Sequence, residues 1–201
     1  MVEDFPYKVA ITGGIGSGKS YVCAKVQALG WQVYDCDAAA KRLMRTDKRL
    51  MKQLTDLLGP QTYVDGKLNK ALVAQFLLAS EENKFIINRV VHPAVAEDFL
   101  NSGIRWMETA ILYESGFDRF VDWAICVTAP LETRIRRIMR RDGIDRSKAE
   151  EWIHRQMPQE EVLQKADFEI VNDGVQDIDS QLERILRILT SQISSDNQRI
   201  F

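Results

Sequence analysis

The chain has 201 residues, 45% hydrophobic and 28% charged, as expected of one soluble domain of ordinary size or one domain carrying an insertion. Lys plus Arg number 27 and Asp plus Glu 29, and a net charge of −2 excludes a polybasic nucleic-acid wrapper and a strongly acidic tail protein. No apolar run approaches the roughly 18 residues that span a bilayer. The opening Met1-Val2-Glu3-Asp4 is acidic where a secretory signal is basic. A cytoplasmic protein without nucleic-acid or membrane partners is expected. Cys23, Cys36 and Cys126 form no CxxC and read as reduced small hydrophobes.

In chain order, Tyr7 to Thr12 is a β-rich run that ends in the glycine cluster Gly13–Gly18. A helical pattern follows from Lys19 to Leu29 and stops at Gly30, and Trp31 to Tyr34 is a second strand ending at an Asp35-Cys36-Asp37 turn. Strand, glycine loop, helix and strand make a βαβ opening, which predicts parallel neighbours. From Ala38 to about Ser102 the pattern is helical, broken at Gly59-Pro60 and Asp65-Gly66, with a possible irregular stretch at Thr62–Val64. One helix is expected over Glu82–Val91, and His92-Pro93 is expected to start another. Strands resume at Ile104–Glu108 and Val121–Val127, and Pro130 opens a basic helix to Arg141. Further helices are expected over Ser147–Met157 and on to Lys165, with a last strand at Phe168–Val171. Asn172-Asp173-Gly174 then turns into a C-terminal helix ending near Ile193, and the tail Ser194–Phe201 is expected to fray.

Gly13-Gly14-Ile15-Gly16-Ser17-Gly18-Lys19-Ser20 fits the phosphate-loop pattern G-x-x-x-x-G-K-[ST]. The glycines let successive backbone N–H groups curl round an oxyanion, and the following helix aims its open amides at the same charge. The pattern casts Lys19 on the β- and γ-phosphates and the Ser20 hydroxyl on Mg²⁺. A GTPase would need N-K-x-D, and Asn69-Lys70-Ala71-Leu72 and Asn83-Lys84-Phe85-Ile86 both lack its Asp. A small-molecule kinase with a helical substrate-binding insertion and a basic lid fits the layout best.

Asp35 and Asp37 follow the second strand, where a carboxylate can take a proton from a hydroxyl, hold Mg²⁺ through water, or merely cap a helix. Arg134, Arg137 and Arg141 share one flank of the basic helix and read as a phosphate clamp, while Arg136 and Arg140 read as solvated. Glu108 and Glu114 flank the third core strand and its loop, open to metal, substrate or surface roles. Trp31, Trp106, Trp123 and Trp152 read as packing.

From about Val9 to Leu189 the chain resembles the dephospho-CoA kinase family. The likeness rests on Thr12 to Ser20, Asp35-Cys36-Asp37, His92-Pro93, Ala110-Ile111-Leu112-Tyr113-Glu114, the basic helix through Arg137 and Arg141, Gln156, and Ala166-Asp167 through Asn172-Asp173-Gly174. It implies an α/β phosphate-loop NTPase fold with a five-stranded parallel sheet, a helical insertion and a lid. The core would comprise 1–45, 104–138 and 166–201, the dephospho-CoA-binding insertion 46–103, and the lid 139–165. The implied reaction moves the γ-phosphoryl of ATP, with Mg²⁺, to the 3′-hydroxyl of dephospho-CoA, the last step of coenzyme A synthesis. Carried over, Asp37 is the base at that hydroxyl, Arg137 and Arg141 are lid arginines near ATP, and Asn172 with Gly174 lie by the adenine. Tyr21 extends the nucleotide-binding loop, and His92 and Glu114 face dephospho-CoA. Cys36, Tyr21, Ala110 and Tyr113 depart from the family's usual Ala, Thr, Pro and Phe without removing a charge or phosphate ligand. A monomer or weak homo-oligomer is expected. Another small-molecule kinase, a nucleotide sensor without turnover, and a nucleic-acid-dependent ATPase are the alternatives.

Overall fold

Val9, Ala10 and Ile11 are apolar in unbroken succession, which suits a strand covered on both faces. They form β1 (Val9–Thr12), fully buried in a computed structural model that describes residues 5–198, with side chains of the last helix described to position 193. The order continues α1 (Lys19–Ala28), β2 (Val33–Asp35), α2 (Cys36–Thr46), α3 (Lys48–Leu58), β3 (Tyr63–Val64), β4 (Lys67–Leu68), α4 (Lys70–Ala79) and α5 (Glu81–Asn101). Then come β5 (Trp106–Glu108), β6 (Trp123–Thr128), α6 (Leu131–Asp142), α7 (Arg146–His154), α8 (Gln159–Lys165), β7 (Phe168–Val171) and α9 (Ile178–Gln198). The chain divides into two compact units, one of residues 1–34 and 104–201 and one of residues 35–103.

The first unit is built on a five-stranded sheet in the order β2-β5-β1-β6-β7. β1 pairs in parallel with β5 (Ile11 opposite Glu108) and with β6 (Ile11 opposite Ile125), and β6 pairs in parallel with β7. The carboxyl ends of these strands, and the loops that leave them, therefore share one edge, where ligands bind in such sheets. One face carries Val9, Ile11, Trp106, Ile125, Val127 and Ile170 against α1 (Val22, Cys23, Val26) and α9 (Leu182, Ile185, Leu189). Each such burial stabilises by about 1.5–3 kcal/mol. Phe5, Tyr7, Trp31, Trp106, Trp123 and Phe168 extend this core as a chain of aromatic contacts, so three of the four tryptophans are packing residues, as expected. Trp152 packs in a second cluster with Ile135, Ile138 and Ala149 of α6 and α7. Cys23, Cys36 and Cys126 are buried, and among the described residues they form no disulfide.

The second unit is helical, with β3 and β4 as a two-stranded antiparallel hairpin about the Asp65-Gly66 turn. Its helices start at side-chain caps: Asp35 accepts from the Ala38 amide, Asp47 from Arg49 and Leu50, Asn69 from Leu72, and Ser80 from Asn83. The unit begins at Asp35, where the sequence placed the insertion's start at 46, because α2 packs on α3 and α5.

Three local expectations need correction. Asp35-Cys36-Asp37 is no free turn; Asp35 caps α2, and Asp37 lies in its first turn. His92-Pro93 starts no helix, since α5 runs through both. A proline inside a helix costs about 3 kcal/mol. Ile87, Val91, Val95 and Phe99 are buried at four-residue intervals on either side of it, and their combined burial outweighs that cost. α9 continues past Ile193 to Gln198; positions 199–201 of the expected frayed tail lie outside the described residues. Among the described residues no helix is long and apolar enough to cross a membrane.

Candidate active site

β1 ends at Thr12, and the chain turns back into α1 through Gly13–Gly18. Gly18 precedes the helix at φ 97°, a region L-residues rarely enter, and a Cβ there would stand 2.0 Å from Asn172 Nδ2. Inside the loop the Ser17 amide donates to the Gly14 carbonyl (3.1 Å) and the Ile15 amide to Gln156 Oε1 (2.7 Å). The Gly16 and Gly18 amides have no acceptor among the described residues. With the N-terminus of α1 beside them they form a concavity suited to an anion.

Lys19 Nζ folds back to the Gly14 carbonyl at 3.4 Å, placing the ammonium on the loop. The Ser20 hydroxyl donates to Glu108 Oε1 at 3.0 Å. Glu108 ends β5, the strand beside β1, so the sheet itself delivers a carboxylate to the foot of α1. A hydroxyl and a carboxylate oxygen in contact are the hard-oxygen donors that Mg²⁺ prefers, so Ser20 and Glu108 fit that ion. The sequence singled out Ser20 for the metal and left Glu108 among several roles. The signal for it is an acidic residue ending a strand adjacent to the one that feeds the loop.

On the basic helix Arg134 and Arg137 turn to the loop, while Arg141, expected on the same flank, is exposed with Arg136 and Arg140. Arg137 reaches the loop: Nη1 donates to the Gly16 and Ser17 carbonyls (3.3 and 3.1 Å), and Nη2 to the Asn172 backbone and side-chain oxygens (3.1 Å each). Asn172 Nδ2 closes the ring by donating to the Ser17 carbonyl at 2.9 Å. Arg134 is buried against the loop, its Nε donating to the Ile15 carbonyl at 2.9 Å. Burial lowers the pKa of both guanidiniums, and Arg136 and Arg140 lower that of Arg137 further. The Cys126 thiol nearby is pushed up to about 12 by burial and the Glu169 charge, against the opposite pull of Lys19 and Arg134, and is no nucleophile.

The remaining candidates are more scattered. Arg141 is exposed and pairs with its neighbour Asp142. Tyr21 is exposed beside the Lys25 ammonium, 5.3 Å from its ring centroid. Glu114 accepts from the Met157 amide at 3.1 Å, joining the loop after β5 to the α7–α8 linker. Gly174 lies in an exposed turn at φ 88°. In the helical unit Asp37 is exposed, and His92 is half-buried in α5, which lowers its pKa.

A glycine loop between β1 and α1, on a parallel five-stranded sheet and braced by an arginine-bearing helix, marks a phosphate-loop kinase. Comparison with known proteins narrows the class. A sequence model described as dephospho-CoA kinase matches residues 7–177. The dephospho-CoA kinase of Bacteroides fragilis is 39% identical over 92% of this chain and 94% of its own, and that of Chlorobaculum tepidum 34% identical over 96% and 100%. Among solved structures, TT1252 from Thermus thermophilus has a TM-score of 0.75 at 30% identity, covering 94% of this chain and 98% of its own. The dephospho-CoA kinase of Campylobacter jejuni shares the fold, with a TM-score of 0.61 at 20% identity over 94% and 98%. The chain belongs to the dephospho-CoA kinase family, and it is an ATP-dependent phosphotransferase.

Proposed function

We propose that this chain transfers the γ-phosphoryl group of ATP to the 3′-hydroxyl of dephospho-CoA, giving coenzyme A and ADP, with the loop Gly13–Ser20 as the phosphate site and Asp37 as the base. The activity is that of its family, the final step of coenzyme A synthesis. The carrying observation is the loop's open amides beside Lys19 and the Ser20–Glu108 pair, in a chain matching that family over residues 7–177.

The loop amides and Lys19 hold the triphosphate and offset the charge that gathers on the moving group. Ser20 would hold Mg²⁺ directly, with Glu108 as its carboxylate neighbour. The ion, when bound, would supply charge neutralisation to the phosphate group being moved. Asp37 takes the proton of the attacking hydroxyl as its oxygen bonds to phosphorus and the bond to the ADP oxygen breaks. Arg137 fixes the loop's carbonyls, and Arg141 supplies charge to the phosphates from the segment 139–165, which acts as the lid. Tyr21, Asn172 and Gly174 line the nucleotide. His92 and Glu114 serve the acceptor, and the helical block 46–103 binds it.

Asp37→Asn keeps size and polarity and removes the base. We expect kcat to fall by about 10²–10⁴ while ATP binding measured by calorimetry is unchanged. Wild-type turnover by Asp37→Asn removes Asp37 from this role.

A further inference from the structure

One residue of the phosphate loop is held at its amide, its carbonyl and its side chain by a region outside the loop. The Ile15 amide donates to Gln156 Oε1 at 2.7 Å, and the Ile15 carbonyl accepts from Arg134 Nε at 2.9 Å. The Ile15 side chain packs against Ile135, Ile138 and Ala149, the apolar cluster between α6 and α7 that Trp152 also covers. The contact is close enough to constrain the next residue back, since a Cβ at Gly14 would stand 2.2 Å from Arg134 Nη2. Ile15 is thus anchored by two backbone bonds and an apolar socket, while its neighbour Gly16 keeps its amide open.

Gln156 is itself fixed. It sits in the short linker between α7 and α8, where the next amide, Met157, donates to Glu114; just beyond it Gln159, the first residue of α8, accepts at Oε1 from the Ala129 amide at 3.1 Å. The linker and the start of α8 are therefore tied to the segments that leave β1, β5 and β6, all at the carboxyl edge of the sheet. A backbone tied on its C-terminal side at Met157 and Gln159 limits where the Gln156 side chain can start, which favours a preorganised acceptor.

We propose that Gln156 is a positioning residue for ATP: acting through the Ile15 peptide, it sets the crest of the phosphate loop so that the Gly16 and Gly18 amides converge on the phosphates. Ile15 is then the handle by which α6, α7 and their linker hold the loop, and its amide is not a phosphate ligand. This rests on the reading that the loop binds ATP.

The test uses two variants of the whole protein, a non-hydrolysable ATP analogue with Mg²⁺ in a calorimeter, and turnover with dephospho-CoA. Gln156→Met keeps volume and loses the acceptor; Gln156→Glu keeps an acceptor, and its added charge is screened by measuring at high salt. Stranding one amide is expected to weaken analogue binding by about 5–30-fold in Gln156→Met. KM for ATP should rise in proportion and kcat should change less than about threefold, the mark of lost ground-state positioning. Gln156→Glu should recover most of the lost affinity. Melting temperatures without nucleotide should stay within a few degrees of wild type. Wild-type affinity in Gln156→Met overturns the proposal and leaves the kinase reading intact, as does equal loss in both variants. Failure of the unmodified protein to bind the analogue overturns both.

Discussion

Ser20 and Glu108 meet at the foot of α1, one from the loop and one from the end of β5. The loop half of that pair was legible in the sequence, because G-x-x-x-x-G-K-[ST] names its residues by spacing alone. The other half was not, because a carboxylate at a strand end has no local signature; only the pairing of β5 with β1 brings it to Ser20. The arginines show the same limit. Spacing put Arg134, Arg137 and Arg141 on one flank, and only tertiary packing shows that the first is buried, the second braces the loop and the third is solvated. Glu108→Gln preserves an acceptor for Ser20 and removes the charge. The Mg²⁺ concentration for half-maximal rate is expected to rise about 10–100-fold, read from a metal titration of turnover. An unchanged titration would detach Glu108 from the metal.

Strand and helix types were readable from period and punctuation; their joints were less so. Gly30 does end the first helical pattern, and the Asn-Asp-Gly turn after β7 does lead into α9. His92-Pro93 misled, because Pro reads as a start signal, whereas four buried side chains carry α5 through it. The same burial lowers the His92 pKa below its ordinary 6.5. A depressed imidazole binds fewer protons in the native state than in the unfolded one at acid pH. Its contribution is therefore present above about pH 6.5 and lost as pH falls through the lowered native value. Denaturant midpoints should fall on acidification through that window, and His92→Gln should flatten the decline. A slope unaltered by His92→Gln would show that other groups carry it.

At the scale of the molecule, the α/β class and parallel sheet followed from the βαβ opening and the helical insertion from the strand-free pattern after Ala38, while the five-stranded core followed from the family resemblance. The boundary of the helical unit did not, since α2 is helical in pattern wherever it packs and only its contacts with α3 and α5 assign it. A ligand that binds only the native state stabilises it by about 2.7 kcal/mol at a hundredfold excess over Kd. For a chain of this size that raises Tm by about 5–11 °C. MgATP is expected to produce such a shift in the wild type and much less in Lys19→Ala, whose Tm without nucleotide should remain near wild type. An equal shift in both would place ATP elsewhere.

The most direct measurement is ADP release from MgATP with dephospho-CoA as acceptor, set against AMP and against no acceptor. Rapid release is expected with dephospho-CoA, accompanied by coenzyme A, and only a slow background with the other two. Release that is equally fast without an acceptor, or faster with AMP, would contradict it.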